Sequence, residues 1–506
     1  MGILHKQAQS IIDLLARAIG IAEGYSEKDT LTRLSANVNF GPIKQVVDYN
    51  LEEQWKCGIQ NALDCIKQYL DKAAILSDDD KYIYATVIAL WIDRKISYEN
   101  PNKDTINIAV LLSEASTYST ITHLNSRDSV DETGIWICPK YPCIPVVYEI
   151  DDEGKERNTK LFNRDSFHFL NNALNNISYY CLDTKNIDIT NIIVKCNGLK
   201  IDEDKYLRIA FAPMSSSKEM PFKLDYVQKN SEQFFQIEYI YFPDELTSRF
   251  NRDLFLSGIN RANIIFFPEM LGVDGMVDEK DSFSHNLKTI GRELVQYGLS
   301  LPDIVIFPSI WKSRENFVVV ANKNGRILAK QKKLVPYVDR DKGIEDIEIP
   351  DIPEIILIHI PGVARIAIAI CAQFLDEREE NYTDFLCRCL GVNLVIVPSF
   401  SKGESDFKRI LPSFRKYGTS VVWGNCCGAL PYNTKIIGGT DIVGLDETFQ
   451  FGTYAKCRDF CCSNTEACIF TVDIPYRVNR KKLEKAAVPG IINHHYLSEQ
   501  NGGIEL

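Results

Sequence analysis

Three short phrases of the sequence place a polar side chain directly after an apolar run and a proline. They read NIIFFPE (263–269), DIVIFPS (303–309) and NLVIVPS (393–399). Runs of apolar β-formers suit a strand that is covered on both faces, and proline is typical of the point where strand pairing ends. Because ligand crevices form beyond the carboxyl ends of strands in open α/β sheets, we expect Glu269, Ser309 and Ser399 on one rim.

Two further segments carry residue types that could do covalent chemistry with Glu269. GRILAKQKKL (325–334) contains three lysines, and IAIAICAQFLDE (366–377) places Cys371 at the end of an apolar run. A thiolate is a nucleophile, a carboxylate can take the thiol proton and a cation can stabilise developing negative charge. Taken singly, Cys371 could be a core thiol and Glu269 a solvated acid.

The ordered set of glutamate, lysine and cysteine in these three contexts resembles the carbon–nitrogen hydrolase (nitrilase/amidase) superfamily. YLRIAFAPM (206–214) is similar to the first strand of that superfamily, and GVNLVIVPSF (391–400) to the segment after its nucleophile. GGTDIVGLDE (438–447) is similar to its next hairpin, and ACIFTVDI (467–474) to its closing strand. The resemblance covers about residues 205–475.

The resemblance implies a thiol-dependent hydrolase of a non-peptide C–N bond, an amide rather than a nitrile, that acts through a thioester. Cys371 would be the nucleophile, and Glu269 the general base that later serves as the acid. Lys333 would stabilise the oxyanion, with the backbone N–H of Ala372 as a second donor. This chemistry needs no metal and no organic cofactor, and the identity of the small-molecule substrate is left open.

Two of the implied positions are left open by the sequence. The turn-to-lysine spacing counted from Gly325 favours Lys333, but Lys332 and Lys330 lie in the same run. A second glutamate of the superfamily follows the lysine segment and orients the lysine. In DKGIEDIEIP (341–350) this supporting role falls to Glu345 or Glu348, and we place Glu345 first.

Departures from the superfamily pattern keep two other functions open. Ala372 and Gln373 stand where many members carry an aromatic residue and an acid, which favours a catalytically weak or inactive scaffold or sensor. A thioester passed to an amine instead of water would make the protein an acyltransferase or amidotransferase.

The S-x-x-K sequence at Ser399 is typical of serine acylases but lacks their accompanying motifs. Arg415 and Asn425 match positions that support the fold and the pocket rim.

The predicted fold class is α/β, with a nitrilase-like four-layer α-β-β-α sandwich for residues 205–475. Residues 1–200 are predicted to form a mainly helical α+β domain of unknown role, because apolar residues recur every three or four positions in several of its segments. These segments are 10–22, 54–70 and 82–92. The acidic stretch 151–160 is predicted to be a loop, and residues 476–506 a C-terminal tail available for subunit contacts.

Composition and charge limit the partners and the cellular location that we expect for the protein. The chain has 506 residues, is 45% hydrophobic and carries a formal charge of −11, which argues against a nucleic-acid partner. It shows neither a signal sequence nor a clean membrane span, so we predict a cytoplasmic protein.

The fifteen cysteines are predicted to be reduced thiols, although Cys457, Cys461, Cys462 and Cys468 could form a metal site. The superfamily resemblance implies a homodimer or higher homo-oligomer, and residues 1–200 are a candidate site for a protein partner.

Overall fold

The computed structural model divides the chain into two compact units. One comprises residues 1–141 and 163–193, and the other comprises residues 142–162 and 194–506. The residues that the structure describes are 2–23, 41–76, 78–97, 106–107, 118–122, 132–139, 146–150, 156–159, 170, 174, 176–182, 188–194, 196, 205–214, 221–274, 276–277, 284–339, 342–360, 363–375, 386, 390, 392–401, 405–410, 419–426, 429, 439–441, 452–454, 467–479 and 492–497.

Helices and strands are numbered in chain order. The helices are α1 (Gly2–Glu23), α2 (Gly41–Cys57), α3 (Ile59–Ala73), α4 (Asp78–Arg94), α5 (Pro243–Ile259), α6 (His285–Gln296) and α7 (Ser405–Ile410). The strands up to residue 240 are β1 (Ile96–Ser97), β2 (Ile106–Asn107), β3 (Tyr118–Thr122), β4 (Glu132–Pro139), β5 (Val146–Ile150), β6 (Glu156–Thr159), β7 (Ile177–Leu182), β8 (Asp188–Ile193), β9 (Lys205–Phe211), β10 (Phe222–Lys229) and β11 (Glu232–Ile240). The later strands are β12 (Ile264–Phe266), β13 (Ile304–Ile306), β14 (Ile310–Lys312), β15 (Glu315–Asn322), β16 (Ile327–Lys332), β17 (Val338–Asp339), β18 (Gly343–Glu345), β19 (Glu354–Ile360), β20 (Ala364–Ile368), β21 (Leu394–Ser399), β22 (Ser420–Asn425), β23 (Gly439–Asp441), β24 (Gly452–Tyr454), β25 (Ala467–Asn479) and β26 (Ile492–Leu497).

The N-terminal unit packs α1, α2, α3 and α4 around one apolar core and carries a three-stranded antiparallel sheet in the order β3-β4-β7. The buried carboxylate of Asp93, near the end of α4, accepts hydrogen bonds from the backbone N–H groups of Asn176 and Ile177. These two bonds join α4 to the start of β7. Across the described residues, no helix combines the length and apolarity needed to cross a membrane.

The apolar stripe over residues 54–70 predicted one helix, and the structure has two. Helix α2 ends at Cys57 and α3 begins at Ile59. Between them, Gly58 has φ 136° and ψ 153°, a conformation that side-chain-bearing residues rarely adopt. Leu63, Ile66 and Leu70 still lie in the core because the stripe resumes on α3.

The second unit contains two large sheets, each with a parallel centre. One sheet has the order β14-β15-β13-β12-β9-β25-β5-β6, with β16 paired to β15 and β26 to β25. The other includes the run β24-β23-β22-β21-β20-β19. Strands β9, β12 and β13 are parallel to one another, as are β20, β21 and β22. The predicted α/β class is therefore observed, and the parallel strands bring several carboxyl ends to common edges.

Phe211 and Gly424 bring the two sheets into contact. A Cβ atom on Gly424 of β22 would collide with the ring of Phe211, the last residue of β9. The Cys426 thiol, beyond the end of β22, lies 3.6 Å from the carbonyl oxygen of Met214. The carboxyl ends of β9 and β22 therefore meet face to face, because glycine leaves room for the aromatic ring.

Two of the three proline-containing segments end their strands before the proline, and the third does not. Strands β12 and β13 stop two residues before Pro268 and Pro308, as predicted. Strand β21 instead runs through Pro398, which pairs with Gly424 of β22. Its other neighbour, β20, pairs only as far as Ile396, so the missing N–H of Pro398 removes no ladder bond on that side. Ser399 consequently belongs to the second sheet, and the prediction of a single rim shared with Glu269 and Ser309 is wrong.

Two segments outside the predicted hydrolase region add strands to the first sheet. Residues 156–159, inside the stretch predicted to be a loop, form β6 and pair with β5. Strand β5 in turn pairs with β25 through Val146 and Arg477. In the segment predicted to be a tail, β26 pairs back along β25. Both differences arise from long-range strand pairing, which a local charge pattern does not reveal.

A buried carboxyl in α5 predicts a pH-dependent stability. Burial raises the pKa of Asp253 from 3.8 to about 7, against the opposing effects of Arg249 and the Cys468 N–H. Between these two values the folded chain holds a proton that the unfolded chain has lost, so the free energy of unfolding falls as the pH rises. The loss amounts to at most about 4 kcal/mol.

Asp253→Asn should remove this part of the pH dependence, because an amide does not titrate and still accepts the Cys468 N–H bond. Urea denaturation between about pH 4.5 and 7.5 measures the slope. Asp244→Asn, at an exposed position in the first turn of the same helix, should keep the wild-type slope. Equal slopes for wild type and Asp253→Asn would contradict the prediction.

Candidate active site

A lysine between two carboxylates forms the centre of the site. The Nζ atom of Lys333 lies 2.7 Å from Oε1 of Glu269 and 2.6 Å from Oε2 of Glu345. Each of these three residues is only 1% exposed. Glu269 follows β12, Lys333 follows β16 and Glu345 ends β18, so three separate strand ends supply the cluster.

Asn316 joins the same two carboxylates. Its Nδ2 donates to Oε1 of Glu269 at 2.9 Å and to Oε1 of Glu345 at 3.0 Å. The amide orientation is determined by these acceptors, because the reverse orientation would place its carbonyl oxygen against two carboxylates. The backbone carbonyl of Asn316 also accepts the Lys333 N–H at 2.7 Å. Asn316 therefore fixes the position of the lysine as well as that of both acids.

Asn316 was not among the residues predicted from the sequence, although its position in the hairpin of β15 and β16 is a possible indication of its role. Counting back from the turn places residue 316 opposite residue 333, as the pairing of Phe317 with Lys332 shows. The count works only with the bulge that shifts the register between Val320 and Ala321. The sequence does not reveal that bulge.

Strand alternation decides which lysine enters the site. Successive side chains on a strand point to opposite faces, and Gln331 and Lys333 are buried. Lys332 points the other way, is 39% exposed and forms an ion pair with Glu315. Lys330 lies on that outer face too, 3.0 Å from the same carboxylate. Lys332 and Lys330 are therefore outside the cluster, and Lys333, the first choice from spacing, is inside it.

Cys371 lies beside the carboxylate of Glu269. It follows β20, begins a short 3₁₀ helix (Cys371–Gln373) and has a φ of 45°, which is strained for a residue with a side chain. Its thiol lies close enough to the Glu269 carboxylate and to the backbone N–H of Phe400 for the carboxylate to raise, and the N–H to lower, the pKa of the thiol. Glu269, Lys333 and Cys371, which are far apart in sequence, thus meet in one buried place.

Charge and burial set the protonation of the cluster. Burial and the Glu269 carboxylate raise the pKa of the Cys371 thiol, and Lys333 opposes the rise only in part. Burial alone would lower the pKa of Lys333, but Glu269 and Glu345 together raise it above its usual value. Burial likewise raises the pKa of Glu345 against the attraction of Lys333. At neutral pH the site therefore holds an ammonium ion and a neutral thiol.

The loop after β21 supplies a backbone donor to the site. The Phe400 nitrogen lies 3.3 Å from Oε2 of Glu269, and its N–H acts to lower the pKa of the nearby Cys371 thiol. Asn425 holds the next residue of the loop, donating to the carbonyl of Ser401 at 2.7 Å and accepting its N–H at 2.8 Å. The Oγ of Ser399 accepts the indole N–H of Trp423. Ser399 therefore supports the loop and does not face the cluster.

Ser309 supports the other side of the site. Its Oγ accepts the backbone N–H of Met270 at 2.7 Å, and its own N–H donates to the carbonyl of Pro268. Both bonds brace the residues that flank Glu269. Met270 has a φ of 67°, so the backbone next to Glu269 is strained, as it is at Cys371.

Ala372 and Gln373 have backbone and side-chain roles close to the thiol. Ala372 lies in the first turn of the 3₁₀ helix, where N–H groups have no acceptor within the helix. The side-chain carbonyl of Gln373 faces the N–H of Ile370 at 3.4 Å, so Gln373 closes the turn around Cys371. The side chain of Gln373 is completely buried. At this position it shapes the loop that carries the thiol.

Other predicted residues lie elsewhere or outside the described part of the chain. Glu348 lies at the surface, 3.8 Å from Arg314, so Glu345 and not Glu348 contacts the lysine. Arg415, Lys402, Cys457, Cys461 and Cys462 lie outside the described residues. Within the described ranges there is no group of three or more side chains suited to hold a metal ion. Six described cysteines form no disulfide bond, namely Cys57, Cys65, Cys196, Cys371, Cys426 and Cys468.

Comparison with known proteins finds similarity only among solved structures. No family model and no curated protein matches the chain. An amidase from Nesterenkonia sp. is 14% identical, with 57% of this chain and 98% of that chain covered and a TM-score of 0.35. A cysteine mutant of the Nesterenkonia AN1 amidase, described as a member of the nitrilase superfamily, is 15% identical, with coverages of 57% and 97% and a TM-score of 0.35.

A third solved structure is the glutamine-dependent NAD⁺ synthetase from Acinetobacter baumannii. It is 14% identical, with 55% of this chain and 47% of that chain covered and a TM-score of 0.34. The nitrilase superfamily named for the Nesterenkonia amidase is the one that the sequence motifs resemble.

Asn316→Asp should destabilise the protein strongly. A carboxylate cannot donate to Glu269 and Glu345, and it would add a third negative charge to a buried cluster. Disruption of a buried ionic network typically costs about 3–5 kcal/mol, which thermal and urea denaturation would measure. Asn324→Asp, in the exposed turn of the same hairpin, is the matched control and should change stability by less than about 0.5 kcal/mol. Equal effects of the two substitutions would contradict the bridging role.

Proposed function

We propose that this protein hydrolyses a non-peptide C–N bond of a small molecule, an amide in preference to a nitrile, through a cysteine thioester. The observation that carries the proposal is the position of the Cys371 thiol beside a Glu269 carboxylate that is also bonded to Lys333. A nucleophile, a base and a cation within one buried cluster are the groups that acyl transfer requires. The four-layer sandwich expected of the superfamily is part of the proposal.

In the first half-reaction, the sulfur of Cys371 attacks the amide carbon while the thiol proton passes to Glu269. The raised pKa of the thiol means that this proton transfer accompanies attack, since little free thiolate exists beforehand. Glu269 then returns the proton to the leaving nitrogen as the C–N bond breaks. The products of this step are ammonia or an amine and a thioester on Cys371.

In the second half-reaction, water attacks the thioester carbon and gives a proton to Glu269. The C–S bond breaks, the carboxylic acid leaves and the sulfur of Cys371 recovers the proton. In both halves, negative charge develops on the former carbonyl oxygen. An ammonium ion has three N–H donors, and Lys333 directs two to Glu269 and Glu345. The third donor and the N–H of Ala372 would bind the oxyanion, each worth about 10²–10³ in rate.

Cys371→Ala should abolish turnover, because no thioester can form without the sulfur. Release of ammonia or amine from a panel of small amides, N-acyl amines and nitriles is the measurement. Cys57→Ala, which removes an exposed thiol, is the matched control and should retain wild-type rates. Turnover that survives in Cys371→Ala would end the proposal. A wild-type protein that processes the panel only with an added amine acceptor would instead be a transferase, and one that processes no compound would favour a scaffold or sensor.

Two adjacent lysines provide a sharper test of the oxyanion role. Lys333→Met should lower kcat/KM by at least about 10²-fold, because it removes a donor and a cation from the site. Lys332→Met, whose side chain pairs with Glu315 on the outer face, should leave kcat/KM within about twofold. Circular dichroism and thermal denaturation of both variants separate lost chemistry from lost folding. A larger loss in the Lys332 variant would contradict the assignment.

The homo-oligomeric state, the cytoplasmic location and a protein partner for residues 1–200 stay predictions within this proposal. None of the catalytic steps above depends on them. The residues assigned to catalysis all belong to the second compact unit.

A further inference from the structure

A β-hairpin that the superfamily resemblance did not predict lies between β9 and α5. It consists of β10 and β11, which pair antiparallel from Phe222 with Ile240 to Lys229 with Glu232. With β18 and β17 it forms a separate four-stranded sheet in the order β10-β11-β18-β17. Since β18 carries Glu345, the hairpin is directly connected to the lysine cluster.

The connection to β18 is through the backbone. Strand β11 pairs in parallel with β18, with Phe235 opposite Glu345, and the carbonyl of Phe235 accepts the N–H of Asp346 at 2.8 Å. Gly343 has a φ of 91°, and a Cβ atom there would collide with the backbone of Gln233. The close approach of the hairpin thus requires glycine at the start of β18.

The other end of the hairpin reaches the thiol side of the site. The ring of Phe222, the first residue of β10, packs on the ring of Phe400 with centroids 4.9 Å apart. Phe400 is the residue whose N–H bonds to Glu269 and lies close enough to the Cys371 thiol to favour the thiolate. Asn425 holds the backbone of Ser401 from the other side. The side chain of Phe222 therefore contacts the residue whose peptide orientation places the N–H donor at the sulfur.

We propose that the hairpin is a brace that sets the reactivity of Cys371, with Phe222 as the positioning residue that holds the Phe400 N–H against the sulfur. The proposal rests on the proposed function, in which Cys371 is the nucleophile. A backbone N–H aimed at sulfur stabilises the thiolate more than the thiol. Loss of the Phe222 ring frees the Phe400 side chain to shift, which lengthens this bond and makes the thiolate harder to form.

Alkylation of Cys371 tests the brace without knowledge of the substrate. The full chain is treated with iodoacetamide across a pH series, and the rate of labelling at Cys371 is followed by peptide mass spectrometry. In Phe222→Ala the rate–pH profile should move to higher pH, so that labelling near pH 8 slows about five- to tenfold, as expected for a weakened hydrogen bond to a charged group. Since the Cys371 thiol is buried, a purely structural loosening would instead give iodoacetamide easier access and would speed labelling.

Two further variants make the comparison decisive. Tyr226→Ala removes an aromatic side chain that is 47% exposed on the same strand, and its profile should match wild type. Phe222→Leu keeps apolar volume and should show a smaller shift in the same direction, which preserves the test if Phe222→Ala fails to fold. An unchanged or faster labelling rate in both Phe222 variants would overturn the brace.

Turnover by Cys371→Ala separates this inference from the proposed function. If Cys371→Ala retains turnover of the amide panel, the nucleophile assignment itself fails, and the brace fails with it. If Cys371→Ala is inactive but labelling of Cys371 is not slowed in the Phe222 variants, the hydrolase proposal stands and only the brace is wrong.

Discussion

The ion pair of Lys333 with two buried carboxylates is the constraint on which the site depends. Burial of an unpaired charge costs several kcal/mol, so neither acid could occupy its place without the lysine 2.6–2.7 Å away. Burial raises the pKa of Glu345, and the Glu269 carboxylate adds to this rise because one lysine does not neutralise two carboxylates. Asn316 supplies two neutral donors to the same pair. To pair these charges and donors, the ends of β12, β15, β16 and β18 must meet within hydrogen-bonding distance.

The same balance of charges sets the protonation state of the Cys371 thiol. Since the neighbouring Glu269 carboxylate disfavours a second negative charge, Cys371 is held as a neutral thiol with an acceptor in contact. Such a pair is suited to a nucleophile that loses its proton during attack. The Phe400 N–H favours the thiolate without adding charge to the cluster. Lys333 also favours it, but its ammonium is already engaged with two acids.

Backbone strain accompanies these contacts. Cys371 and Met270, on the two sides of the acid–thiol contact, both have positive φ values. Residues with side chains adopt such angles only where their surroundings hold them. Here Gln373 closes the turn at Cys371, and Ser309 binds the N–H of Met270. Supporting polar side chains thus offset local strain next to the groups that would react.

The types and order of the reactive residues, and the strands that carry them, could be predicted from the amino-acid sequence. Apolar runs before Glu269 and Cys371 are local patterns, and they correctly predicted strands β12 and β20. Spacing from Gly325 also favoured Lys333. Periodicity is a property of neighbouring residues, so it survives in the sequence without knowledge of the fold.

Which side chains meet in the site depends on strand register and long-range packing. Exclusion of Lys332 depends on the register of β16 and on a bulge, and the role of Asn316 depends on the same register. The passage of β21 through Pro398 depends on where its neighbour β20 ends. The contact of Phe222 with Phe400 joins segments that are far apart along the chain. Pairing and packing of this kind follow from the free energy of the whole fold, and no local pattern encodes them.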